Sequence, residues 1–168
     1  MNRDALILLG VLAAIGLTAG GLMVRKRQWP GQAPEKYRNH IAAAELREGL
    51  PHDLLARLLW QESRYREDII SGAVTSPAGA MGIAQIVPRW HPGVDPLDPF
   101  ASIDYAARYL RDLRRQTGSW EMALAAYNWG IGNVNRALNN YGRENLLAYA
   151  PKETRDYVSD ITGDVGLV

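Results

Sequence analysis

The chain has 168 residues, enough for one domain with its own core and a short appendage. Cysteine is absent, which excludes disulfide frameworks, thiolate zinc sites, thiol nucleophiles and lipid attachment through a cysteine. The net charge is +1, but residues 1–27 carry +3 and residues 28–168 therefore −2, which argues against a nucleic-acid partner.

Ala5 to Val24 is free of charge and made mostly of Leu, Ile, Val, Ala and Gly. Twenty such residues span about 30 Å as a helix, the thickness of a bilayer core. A cleaved signal peptide competes with this reading, but a cleavage site of small residues is poor here (Thr18-Ala19-Gly20). The expectation is one uncleaved transmembrane anchor over residues 1–27. Its basic residues, Arg25-Lys26-Arg27, follow the span, which would hold the rest of the chain on the cytoplasmic side. Gln28 to Pro34, with Trp29-Pro30-Gly31, reads as a tether, and residues 35–168 as the domain.

The domain opens with a predicted amphipathic helix over residues 35–47, with Tyr37, Ile41, Ala44 and Leu46 inward and Gly49 as its stop. Pro51 suits the first turn of the next helix, which carries Leu54, Leu55, Leu58 and Leu59 in one apolar stripe. At 100° per residue Glu62 falls inside that stripe. A buried carboxyl escapes the cost of an unpaired charge by raising its pKa, which makes Glu62 a candidate general acid. A structural glutamate capped by Arg or backbone amides is the competing explanation.

Ser71 to Gly82 is small, turn-rich and without periodicity. Ile83 to Val87 is predicted as a short helix closed by Pro88, followed by a turn from Trp90 to Asp98. Pro99 to Gln116 reads as a helix with Ile103, Ala106, Ala107, Leu110 and Leu113 inward. Ser119 caps a helix over Glu121 to Trp129 that is apolar nearly all round and so belongs at the centre of the core. A short helix runs from Gly132 to Leu138, and one from Lys152 to Ile161 closes the chain. The fold class is mainly α. The three histidines, His40, His52 and His91, have no metal-ligand spacing, so no metal site is expected.

Four segments together resemble the catalytic domain of the soluble lytic transglycosylases, which share a lysozyme-like fold with the goose-type lysozymes. They are Glu62-Ser63, the run from Ser76-Pro77 through Gly82 to Gln85, Ala126-Tyr127-Asn128, and Glu153-Thr154 with Tyr157-Val158. Each motif is weak alone; their order across residues 50–160 is specific. Ile83 and Ala84 stand where the family has Leu and Met, and Trp129 where it often has a small residue.

The resemblance implies cleavage of the β-1,4 bond from N-acetylmuramic acid to N-acetylglucosamine in peptidoglycan, giving 1,6-anhydro ends. Glu62 would be the single acid and then base. Ser76, Gly82 and Gln85 would line sugar subsites, and Tyr127 and Asn128 would flank the scissile bond. Tyr157 would lie near Glu62, with Glu153 behind it. The resemblance implies no cofactor and glycan strands as partner; the expected anchor adds a membrane, and envelope or virion assembly partners are the further candidates. Two other readings stay open. One is a goose-type hydrolase, which needs a second carboxylate from among Asp68, Asp95 and Asp98. The other is a wall-binding protein without turnover.

Overall fold

The computed structural model describes residues 33–165. The expected anchor, and the tether as far as Gln32, lie outside the described residues. Among those described, no helix is long and apolar enough to cross a membrane.

Helix α1 (Glu35–Glu48) buries Tyr37, Ile41 and Ala44 as expected and ends on Gly49, whose φ of 68° terminates it in the left-handed region. Leu46 is a correction: it is 70% exposed. It lies five residues from Ile41, well off the stripe, whereas Glu45 lies four away and is buried. The Glu45 carboxylate accepts from the backbone N–H groups of Leu55 at 3.0 Å, Ala56 at 3.2 Å and Asp53 at 3.3 Å. A buried acid thus closes the start of helix α2 (Leu54–Ser63), where Asp53 contributes no side-chain cap.

Helix α2 turns Leu54, Leu55, Leu58 and Leu59 fully into the core. Its end is locked in place. Ser63 Oγ donates to the Leu59 carbonyl at 3.0 Å and accepts from Tyr65 N–H at 3.2 Å. Arg64 and Tyr65 both take positive φ, and Tyr65 Oη donates back to the Ala56 carbonyl at 2.7 Å. A single turn of helix, α3 (Glu67–Ile70), follows.

Residues 71–98 are turns. The short helix expected over 83–87 is absent. Instead Met81 and Ile86 form a two-residue antiparallel bridge around a tight loop. Gly82 and Gln85 sit at φ 73° and 48°, which a right-handed helix cannot include.

Asp98 caps helix α4 (Pro99–Thr117) through Phe100 and Ala101 N–H, and Pro99 occupies its first turn. Ser119 caps helix α5 (Trp120–Trp129), in which residues 122–126 are all buried. Helix α6 (Ile131–Tyr141), the short α7 (Leu146–Tyr149) and α8 (Lys152–Val165) complete the chain; α6 and α8 both run further than the sequence suggested. The central α5 packs against α4, α6 and α8, while α2 packs across α8 and α1. Apolar burial from all sides of α5 is what holds the bundle. It also sets the ends of α2, α5 and α8 around one groove.

Candidate active site

Glu62 lies in the last turn of α2 and faces α8. Tyr157 Oη donates to its Oε1 at 2.6 Å. Glu62 keeps some accessible surface toward the groove, yet the atoms packed around its carboxyl exclude enough water to push the pKa from 4.5 up to about 7. The Tyr157 bond opposes that rise by favouring the ionised form, and the negative charge of Glu153 adds to it. Glu153 and Tyr157 are four residues apart on one face of α8, which explains why both act on the same carboxyl. Burial holds the Tyr157 and Tyr127 phenols well above their ordinary value, so both remain hydrogen-bond donors at any working pH.

Helix α5 supplies the facing wall. Asn128 accepts at Oδ1 from Thr154 Oγ1 at 2.8 Å, a bond between α5 and α8 that leaves its Nδ2 donors for the groove. Tyr127 Oη donates to the Ala84 carbonyl at 2.9 Å and so ties α5 to the 81–86 loop. In that loop Gln85 Nε2 donates to the Gly82 carbonyl at 3.0 Å. Gly82 admits no side chain: a Cβ there would sit 1.8 Å from the Pro96 carbonyl oxygen. Its role is to let the Gly82 and Pro96 backbones meet closely.

The groove has two lobes that share Gln85 and Asn128. The smaller, about 370 Å³, holds Glu62 with Gln61, Glu153, Asp156, Tyr157 and Asp160. The larger, about 740 Å³, has aromatic walls from Trp90, His91, Tyr105, Tyr109, Tyr127 and Trp129. Tyr105 and His91 are joined through Oη and Nδ1 at 2.6 Å, and Tyr105 stacks on Tyr109 with centroids 5.9 Å apart.

Six of the eight residues named from the sequence line the groove; Gly82 lines neither lobe and acts through its carbonyl, which accepts from Gln85. Ser76 also lines neither lobe, and its hydroxyl accepts from Ala80 N–H at 2.9 Å inside its own turn. The three aspartates considered as a second carboxylate hold local structure and line neither lobe. Asp68 pairs with Arg66, which keeps its carboxyl below the usual range; Asp95 accepts from Leu97 N–H; Asp98 caps α4. The carboxylates beside Glu62 come from α8, at 153, 156 and 160. That helical spacing was visible in the sequence, as was the i, i+4 pair Tyr105 and Tyr109 off the apolar stripe of α4.

The transglycosylase SLT domain family model matches residues 39–149. The chain is 32% identical over 123 residues to a protein of Alkalilimnicola ehrlichii named membrane-bound lytic murein transglycosylase F 2, covering 67% of this chain and 26% of that protein. It is also 32% identical over 119 residues to membrane-bound lytic murein transglycosylase F of Pseudomonas fluorescens, covering 66% and 24%. The chain therefore belongs to the transglycosylase SLT domain family. It spans about a quarter of the length of these relatives. The family match takes in Glu62, Gln85, Tyr127 and Asn128 and stops short of Glu153 and Tyr157.

Proposed function

We propose that this chain is a lytic transglycosylase that cleaves the N-acetylmuramic acid–N-acetylglucosamine bond of peptidoglycan without water. The observation that carries the proposal is Glu62: a carboxyl held half protonated near pH 7, bonded by Tyr157, in the smaller of two lobes that join at Gln85 and Asn128. An acid with its pKa near working pH can both give and take a proton.

In the first step protonated Glu62 transfers its proton to the glycosidic oxygen. The C1–O bond breaks, and the N-acetylglucosamine side leaves as an alcohol. The carbonyl oxygen of the muramic acetamido group bonds to C1, so the substrate supplies its own nucleophile. In the second step ionised Glu62 removes the proton of the sugar's 6-hydroxyl, whose oxygen bonds C1 and expels the acetamido oxygen. A 1,6-anhydro ring closes, and Glu62 is protonated again. Tyr157 holds the carboxyl in place through both steps, and the Asn128 Nδ2 donors face the sugars across the junction.

One observation favours a second reading. Glu153, Asp156 and Asp160 line the Glu62 lobe and could orient a water, which would make the enzyme a hydrolase of the same bond. We infer further that residues 1–27 anchor the chain in a membrane of the bacterial envelope. The charge-free run from Ala5 to Val24 supports this, as do the names of the relatives; cleavage of peptidoglycan requires the domain on the wall side, against the bias of Arg25-Lys26-Arg27. Recovery of the chain in the soluble fraction of producing cells would contradict the anchor.

The Glu62→Gln variant tests the shared core of both catalytic readings. It should stay folded, keep binding sacculi and release no soluble fragments. Turnover within ten-fold of wild type would refute the assigned role of Glu62.

A further inference from the structure

The two lobes differ sharply in charge. Among the described residues the smaller lobe is lined beside Glu62 by Glu153, Asp156 and Asp160 and by no cation, although Lys152 pairs with Asp156 at 2.5 Å from outside the lining. The larger lobe is walled by neutral aromatics and contains one fixed charge, Arg136. Arg136 stands on α6, three residues from Asn133, and its Nη2 donates to Asn133 Oδ1 at 2.5 Å. Asn133 is held in turn by its Nδ2 bond to the Trp129 carbonyl at 2.6 Å. A neutral amide thus aims the guanidinium. Among the described residues Arg136 has no carboxylate partner, whereas Arg47, Arg66 and Arg111 all do. A solvent-exposed arginine that lines a groove and is held by a side-chain amide, with its other donors unused among the described residues, is suited to grip a carboxylate through paired hydrogen bonds.

The proposed substrate presents such groups. Each muramic residue carries a lactyl ether that ends either in a free carboxylate or in an amide-linked peptide stem with carboxylates of its own. Resting on the transglycosylase reading, we propose that Arg136 binds a carboxylate of the muramic residues in the aromatic lobe. This makes it a specificity-determining residue. The acidic lobe repels the same group, so the charge difference sets which way a strand lies along the groove. Arg89, over the Trp90 ring at 4.5 Å, adds positive charge where Trp90 lines the same lobe.

The test measures binding to the full chain carrying Glu62→Gln, so that no turnover intervenes. Four glycans are compared: strands stripped of stems with the lactyl carboxylate free or converted to its amide, and stem-bearing strands with stem carboxylates free or amidated. Arg136 should give about ten- to hundred-fold tighter binding of the free form in one of the two pairs. Adding Arg136→Gln should bring that ratio close to one, and Arg136→Lys should leave it intermediate. Loss of discrimination in the stripped pair assigns the lactyl carboxylate; loss in the stem-bearing pair assigns the peptide. If glycans bind but the Arg136→Gln variant discriminates as its parent does, the inference is wrong and the proposed function stands. If no glycan binds at all, both fall.

Discussion

A carboxyl whose pKa is raised by burial must cost the folded state stability when it ionises, and Glu62→Gln isolates that cost. The glutamine is nearly isosteric, and its amide oxygen can still accept from Tyr157 Oη. In the unfolded chain Glu62 titrates near its ordinary 4.5; in the folded chain it titrates at about 7. Below pH 4.5 both states hold the proton, and the group contributes its full stability. Between 4.5 and about 7 only the folded state holds it, so stability falls as pH rises; above 7 the loss is complete. At 1.36 kcal/mol per pH unit the interval amounts to about 3 kcal/mol. Urea unfolding of wild type and Glu62→Gln across pH 4 to 8 should give curves that diverge by about this amount, with the variant gaining on wild type as pH rises. Other carboxylates cancel in the difference. A separation that stays constant from pH 4 to 8 would mean that Glu62 ionises as it does in water, which would remove the physical basis for its role as acid.

Four further perturbations have definite signs. Tyr157→Phe removes the bond that favours the ionised form, so the alkaline limb of the activity profile should move to higher pH; Glu153→Gln removes a repelling charge and should move it lower. Shifts in the same direction would show that these neighbours do not act on Glu62 as described. Gly82→Ala places a methyl against the Pro96 carbonyl at a φ of 73° and should cost about 2–4 kcal/mol in chemical denaturation, with Gln85 displaced. A loss under 0.5 kcal/mol would mean that the loop yields freely. Glu45→Ala strips the buried acceptor from the start of α2 and should cost about 3 kcal/mol by the same measurement; a neutral effect would show that water replaces it.

The helices that pack by a repeating stripe were legible in the sequence. The apolar face of α4, the all-round burial of α5 and the inward placement of Glu62 follow from period alone, because burial of regular elements depends on spacing. What escaped was irregular or relational. The 81–86 loop turns on two positive-φ residues and on a Pro96 backbone that approaches from fourteen residues away, which no local pattern reports. Leu46 looked like core by composition, but its angle put Glu45 there instead. Ser76 carries a hydroxyl suited to a ligand; only the fold shows that Ala80 N–H already occupies it. The aspartates at 68, 95 and 98 were near in sequence or loosely placed, while those that reach Glu62 arrive on α8, some ninety residues later.

The most direct measurement is the chemistry of the product ends. Purified peptidoglycan is digested with the chain, and the fragments are analysed by mass spectrometry. The account predicts muramic ends lighter by one water than reducing ends, because the 6-hydroxyl and not water takes C1. Muropeptides with ordinary reducing ends would contradict it and assign a water-activating role to one of the carboxylates on α8.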